Sequence, residues 1–221
     1  MIKNFLLATL LAGRLLAQDA GFTPLFNGKN LDGWWGLSTE DPAKWMALPP
    51  EKLAEKKKKS LEDVHQHWKV VDGVLVNDGH GLFLTTEKNF TDFELRLEYK
   101  HGKNADSGIY LRAIPQVQIW DIDGSHPDAK KGSGGLWNNA AGSKGRDPLV
   151  VADSPVGEWN KMVIRMVGDK VTVHLNDKLV VDEAPLQNYF DKDGPLPKSG
   201  PIQLQTHGAE ISWRNVMVKE L

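Results

Sequence analysis

The sequence predicts an all-β protein, a sandwich or jelly roll of two antiparallel sheets with one helix inserted near residues 51–66. Two observations carry this expectation. From Trp68 onward, strand-like runs recur at close spacing, joined by the turn pairs Asp72-Gly73, Gly168-Asp169 and Asn176-Asp177. Set into the second half are polar words that core strands do not need. They are Asp106-Ser-Gly-Ile-Tyr-Leu-Arg112, Gln116-Val-Gln-Ile-Trp-Asp121, Gly134-Gly-Leu-Trp137, Gly157-Glu-Trp-Asn160, Gln203-Leu-Gln-Thr-His-Gly208 and Ser212-Trp-Arg-Asn215. Successive strand residues alternate faces, so such words fit antiparallel strands with one face in a core and one turned to a ligand.

The N-terminus reads as a targeting segment. Lys3 supplies a positive start, Phe5 to Gly13 is apolar, and the small Ala17 precedes the polar Gln18-Asp19. Residues 1–17 are therefore expected to be a signal peptide and 18–221 a single β-sandwich domain, exported to the periplasm or the extracellular space. The apolar stretch is too short for a stable membrane anchor. The absence of Cys leaves no lipoprotein attachment point and no disulfide framework.

Next come a short strand at Phe22–Phe26 and a compact loop, Asn30-Leu-Asp-Gly-Trp34, with its own aromatic anchor. After Pro49-Pro50, Glu51 to Gln66 has helical periodicity. Leu53, Leu61 and Val64 form a narrow stripe, and Lys56 to Lys59 are expected on the solvated face. Trp68 to Val76 is a hairpin about Asp72-Gly73, and Gly81 to Thr86 is a strand. Asp92 to Lys100 alternates: Phe93, Leu95, Leu97 and Tyr99 inward, Glu94, Arg96, Glu98 and Lys100 outward. Lys161–Val167 pairs with Lys170–Asn176, Leu179–Val181 follows, and Pro201–Thr206 and Glu210–Lys219 close the domain. Residues 124 to 157, rich in Gly, Asn, Ser and Pro, form a long loop over one rim.

Parity sorts the polar words. Ile109, Leu111, Val117, Ile119, Ile202 and Leu204 share the core face. Tyr110, Arg112, Gln118, Trp120, Gln205 and His207 share the other, with Asp121 at a strand end. A solvated outer face would also be polar, but the 92–100 strand shows the Lys and Glu that such faces favour. Gln, Arg, Trp and His together fit a site better. Eight Trp residues make sugar stacking available.

Several classes are disfavoured. A net charge of −2 with both signs interspersed does not suit nucleic acid. There is no phosphate loop, dinucleotide fingerprint or His-Glu-x-x-His pair. Gly132-Ser-Gly-Gly135 lacks the strand-to-helix context of a nucleophile elbow. Asp121-Ile-Asp-Gly124 begins like a calcium loop without the later ligands. Glu94 and Glu98 share a face, but four strand residues hold them roughly 13 Å apart, beyond the span of about 5 to 10 Å that paired glycosidase carboxylates need.

The words at Asp106–Arg112, Gln118–Asp121, Gly157–Asn160, Gln205–Gly208 and Trp213–Asn215, with the opening Phe26-Asn-Gly-Lys-Asn-Leu-Asp-Gly-Trp34, resemble the 3-keto-disaccharide hydrolase domain family. The matches run from about Phe22 to Leu221, and their order is more specific than any one of them. The resemblance implies a concanavalin-like jelly roll, export, and action on glycosides oxidised to a ketone at C3. Many members carry Glu where this chain has Gln116, so the mechanism here should not depend on an acid at that position.

A C3 ketone acidifies the C2 proton, so cleavage can run by removing that proton, expelling the C1 substituent and then hydrating the product. The route needs one base, an electrophile at the enolate oxygen and a sugar platform. His207 or Asp121 is the expected base and Arg112 the charge stabiliser. Tyr110, Gln118 and Gln205 are expected to bind substrate, with Trp120 and Trp137 as stacking surfaces. A divalent metal held by His207, Asp121 and Gln118 is the alternative to Arg112. The rival reading is a non-catalytic, lectin-like carbohydrate-binding module. A third is an interaction domain using the 124–157 loop.

Overall fold

The computed structural model describes residues 20–221, so the expected leader lies outside the described residues. In chain order the elements are β1 (Thr23–Pro24), β2 (Trp34–Leu37), α1 (Pro42–Trp45), α2 (Pro50–His67), β3 (Trp68–Val71), β4 (Val74–Asn77), β5 (Phe83–Thr86), β6 (Phe93–His101) and β7 (Asp106–Leu111). They continue as β8 (Ile114–Trp120), a short 3-10 turn (Ala129–Lys131), β9 (Asn160–Val167), β10 (Lys170–Leu175), β11 (Lys178–Pro185), β12 (Gln203–Leu204) and β13 (Ile211–Glu220). The strands form two antiparallel sheets, the expected jelly-roll sandwich with one long inserted helix.

The larger sheet runs β11-β10-β9-β6-β13-β4-β3, with β1 on β13. On β6 the predicted alternation is realised: Phe93, Leu95, Leu97 and Tyr99 are buried between the sheets. On β13 a bulge between Arg214 and Met217, with Asn215 at φ 52°, shifts parity by one. Trp213 before it and Val216 and Val218 after it therefore all point inward. Arg214 and Asn215 both donate to Glu98 on the outer face, at 2.7 and 2.8 Å. Trp159 lies on that face too, between Lys100 and Arg214. Two of the polar words thus serve the outer sheet face rather than a groove.

The smaller sheet runs β2-β5-β12-β7-β8. Leu84, Leu204, Ile109 and Val117 pair across one row on the core side. On the opposite side the register aligns Trp35, Thr85, Gln203 and Tyr110. A second row places Gln205 beside Gly108, its backbone N–H donating to the Gly108 carbonyl at 2.9 Å, and Gly108 opposite Gln118. Asp106 faces Trp120 in a third. The second face is polar, as parity predicts, but it is covered as well: every residue of β7 and β8 except Asp106 is buried. It meets solvent at the Asp106 end.

Both edges of this sheet are protected. Segment 133–136 runs along β8: Gly134 N–H donates to the Gln118 carbonyl (2.8 Å), and Gln118 N–H to that of Gly135 (2.9 Å). Helix α2, with proline at its first position, lies on β2. Its Ser60 hydroxyl accepts the Gly36 N–H at 2.9 Å, and Asp63 accepts that of Leu82 at 2.6 Å. A Cβ on Gly36 would sit 2.7 Å from Val64 Cγ2, so only glycine lets the helix approach this closely. Leu53 and Leu61 pack with Trp35 and Trp45 on the helix's other flank. Of the lysine run, Lys56 pairs with Glu40 and Lys57 lies over the Trp35 ring; both are half-buried, and Lys58 and Lys59 are exposed. Among the described residues no helix is long and apolar enough to cross a membrane.

Candidate functional site

Where β7 begins, β8 ends and the chain leaves β12, a cleft of about 390 Å³ opens between Asn104–Asp106, Asp121, Gly124–Pro127 and His207. His207 follows β12 by three residues and stands 65% exposed at the mouth. Its Nδ1 lies 3.0 Å from Asp106 Oδ2. The other Asp106 oxygen accepts from Gln118 Nε2 at 2.8 Å. Gln118 Oε1 in turn accepts from Gln116 Nε2. A single polar chain therefore runs from the exposed imidazole to the buried floor of the sheet. Gly108 makes room for it: a Cβ there would lie 2.9 Å from Gln116 Cδ. A carboxylate this close to Nδ1 orients the exposed imidazole at the mouth of the cleft, where an imidazole can exchange a proton.

A second imidazole lines the same cleft. His126 stacks on Trp120 with ring centroids 4.4 Å apart, and its Nδ1 accepts the Asp128 backbone N–H at 3.2 Å. That contact leaves the proton of the neutral ring on Nε2, so His126 Nε2 is a donor. Trp137 meets Trp120 and His126 edge-on at 5.3 and 5.7 Å, and the Arg146 guanidinium lies over it at 4.0 Å. Trp120 is buried, and the partly exposed Trp137 offers the accessible aromatic surface.

The other expected site residues fall in three places. Asp121 borders the cleft, but its two oxygens accept the backbone N–H groups of Asn104 (2.7 Å) and Asp123 (3.0 Å), which makes it the organiser of the loop that carries His126. Tyr110 is buried mid-sheet, its hydroxyl 2.7 Å from Thr39 Oγ1, and burial pushes its phenol up to about 12. Gln205, also buried, leaves Oε1 without a partner.

Arg112 is not at the cleft. It sits in the β7–β8 turn at φ 55°, about 20 Å along the strand from Asp106. There Nε donates to the Thr91 carbonyl at 2.7 Å and the other nitrogens to Pro197 O and Asp92. Burial pulls its guanidinium below the usual range, and the Asp92 carboxylate opposes that. Parity predicted otherwise because it was carried one residue past the end of the strand.

The expected metal donors do not assemble. Gln118 has both amide ends engaged by protein, Asp121 holds backbone, and among the described residues no three His, Asp or Glu side chains are arranged to hold an ion. Two cleft residues were absent from the sequence expectation. Asp106 was findable, since it shares parity with Tyr110. His126 lies in a loop, where periodicity carries no signal.

A family model described as a 3-keto-alpha-glucoside-1,2-lyase-like domain matches residues 21–219. The chain belongs to this family. A 3-keto-disaccharide hydrolase of Bacteroides thetaiotaomicron is 28% identical, the alignment covering 93% of this chain and 81% of that one. Two crystal structures from Parabacteroides distasonis ATCC 8503, provisionally assigned as glycosyl hydrolases, share the fold. One has a TM-score of 0.64 at 22% identity, covering 92% of this chain and 95% of its own. The other has a TM-score of 0.60 at 22% identity, covering 90% and 99%. The family is carbohydrate-active and hydrolase-like.

Proposed function

We propose that this protein, exported by its leader, cleaves 3-keto-glycosides by elimination across C1–C2 followed by hydration. The observation that carries the reading is the His207–Asp106 pair at the mouth of a cleft that a second imidazole, His126, also lines. His207 Nε2 removes the C2 proton, and the electron pair passes into the C2–C3 enolate. A hydrogen-bond donor at O3 stabilises this enolate. Collapse of the enolate breaks the C1–O bond, and His126 Nε2–H protonates the departing oxygen. Water then adds at C1 and a proton returns to C2, so the sum is hydrolysis. Trp137 is the stacking platform. The scheme needs no close carboxylate pair and is independent of an acid at position 116.

The family and the relative's substrate support the choice of a 3-keto sugar. Incubation of the purified protein with a 3-keto-glucoside, following released aglycone, tests it. Release by the wild type and its loss in His207→Ala is the expected result. Binding without release by the wild type would make the protein the lectin-like module instead.

A further inference from the structure

Beyond Trp137 lies a second cavity, of about 440 Å³, lined by Asn138, Asn139, Gln187, Asn188, Tyr189 and Lys192. We infer that it binds the second sugar ring of the substrate, the one that departs, as a neutral pyranose. Its role as leaving-group subsite rests on the activity proposed above.

Its position suits that ring. Asn138 follows Trp137, which touches both Trp120 and His126 of the catalytic cleft.

The lining suits hydroxyl recognition. The Asn139 and Asn188 amides are engaged at both ends by protein, which leaves the Asn138 amide and the Gln187 nitrogen for a ligand hydroxyl. Asn138 Oδ1 is buried without a hydrogen-bond partner, an acceptor that a ligand hydroxyl would satisfy. Tyr189 is 45% exposed and anchored edge-on against Phe190 at 5.1 Å, so its ring offers a fixed apolar face. Lys192 is the single charged residue of the lining, among four amides and a phenol.

The walls are preorganised. Asn139 Nδ2 donates to the Pro185 carbonyl at 2.8 Å, Asn139 Oδ1 accepts from Gln187 N–H at 2.9 Å, and Gln187 Oε1 accepts from Ala140 N–H at 2.7 Å. These ties fix segments 138–140 and 187–189 to each other, so little ordering is left for binding to drive.

The test compares a 3-keto-disaccharide of two glucose units with methyl 3-keto-glucoside, using Asn138→Ala and Tyr189→Ala. Each variant should raise KM for the disaccharide about tenfold and leave kcat/KM for the methyl glycoside unchanged, which also shows that the variants fold. A second measurement needs no turnover: free glucose titrated into the wild type should shift the Tyr189 ring resonances, and Asn138→Ala should abolish the shift. Wild type active on both substrates, variants affecting them equally or not at all, and glucose leaving Tyr189 unshifted would overturn the subsite while the activity stands. Wild type inactive on both, with the glucose shift intact, would overturn the activity and keep the cavity as a pyranose site.

Discussion

Asp106 sets one oxygen 3.0 Å from His207 Nδ1 while its other oxygen accepts from Gln118, so one carboxylate ties the exposed imidazole to a buried amide of the sheet. Asp106→Asn keeps the shape and removes the acceptor charge. We expect kcat to fall on the order of 10²- to 10⁴-fold with KM little changed. Steady-state kinetics, with circular dichroism to confirm folding, measures this. A variant that kept full kcat would remove the pair from the chemistry.

Arg112 yields a prediction of the opposite kind. Its buried guanidinium joins the β7–β8 turn to Thr91, Asp92 and Pro197. Arg112→Ala should cost about 2–3 kcal/mol of stability through lost charge-assisted hydrogen bonds. Turnover per folded molecule should stay at the wild-type level. Urea unfolding and active-fraction kinetics read the two effects separately.

Trp137 is half-buried between His126 and the Arg146 guanidinium. Trp137→Ala should raise KM by roughly two- to tenfold, the range expected when an aromatic platform worth about 0.5–1.5 kcal/mol is removed. Its kcat should change less than that of Asp106→Asn. Titration of a slow substrate analogue gives the binding term alone.

Burial holds the Tyr110 phenol near 12 and that of Tyr99 well above its usual value. A tyrosine whose pKa is raised on folding favours the folded state while neutral. That contribution is complete below the unfolded pKa of about 10 and is lost as pH climbs from there through 12. Tyrosinate absorbance should therefore show these two residues ionising together with alkaline unfolding rather than before it. Ionisation of Tyr110 in a still-folded protein near pH 10 would contradict its burial.

Much of the fold was readable where apolar and polar residues alternate. Phe93 to Tyr99 on β6 alternate as their periodicity predicts, while the α2 residues divide, Val64 entering the main core and Leu53 and Leu61 packing with Trp35 and Trp45. Strand β2 was missed because Trp34 and Trp35 are both apolar: one faces the core and the other faces Trp45 and the helix. The parity of β13 is shifted by its bulge at Asn215, and the β7–β8 turn is built by Arg112 and Ala113 at positive φ, neither a residue that announces a turn. The candidate site divides in the same way. Gln118 and Trp120 lie on the strand face that parity assigns them, whereas His207 stands three residues beyond β12, where no strand fixes its side. His126 depends on how a loop folds back over Trp120, a tertiary contact that local pattern does not encode.

The central claim is that His207 removes the C2 proton of a 3-keto-glycoside. The most direct measurement is turnover in D₂O, with the C2 position of the released 3-keto sugar read by NMR and corrected for exchange in protein-free buffer. Deuterium at C2 in every released molecule, with both release and labelling lost in His207→Ala, is the predicted result. Release of a product that retains its C2 proton would contradict it.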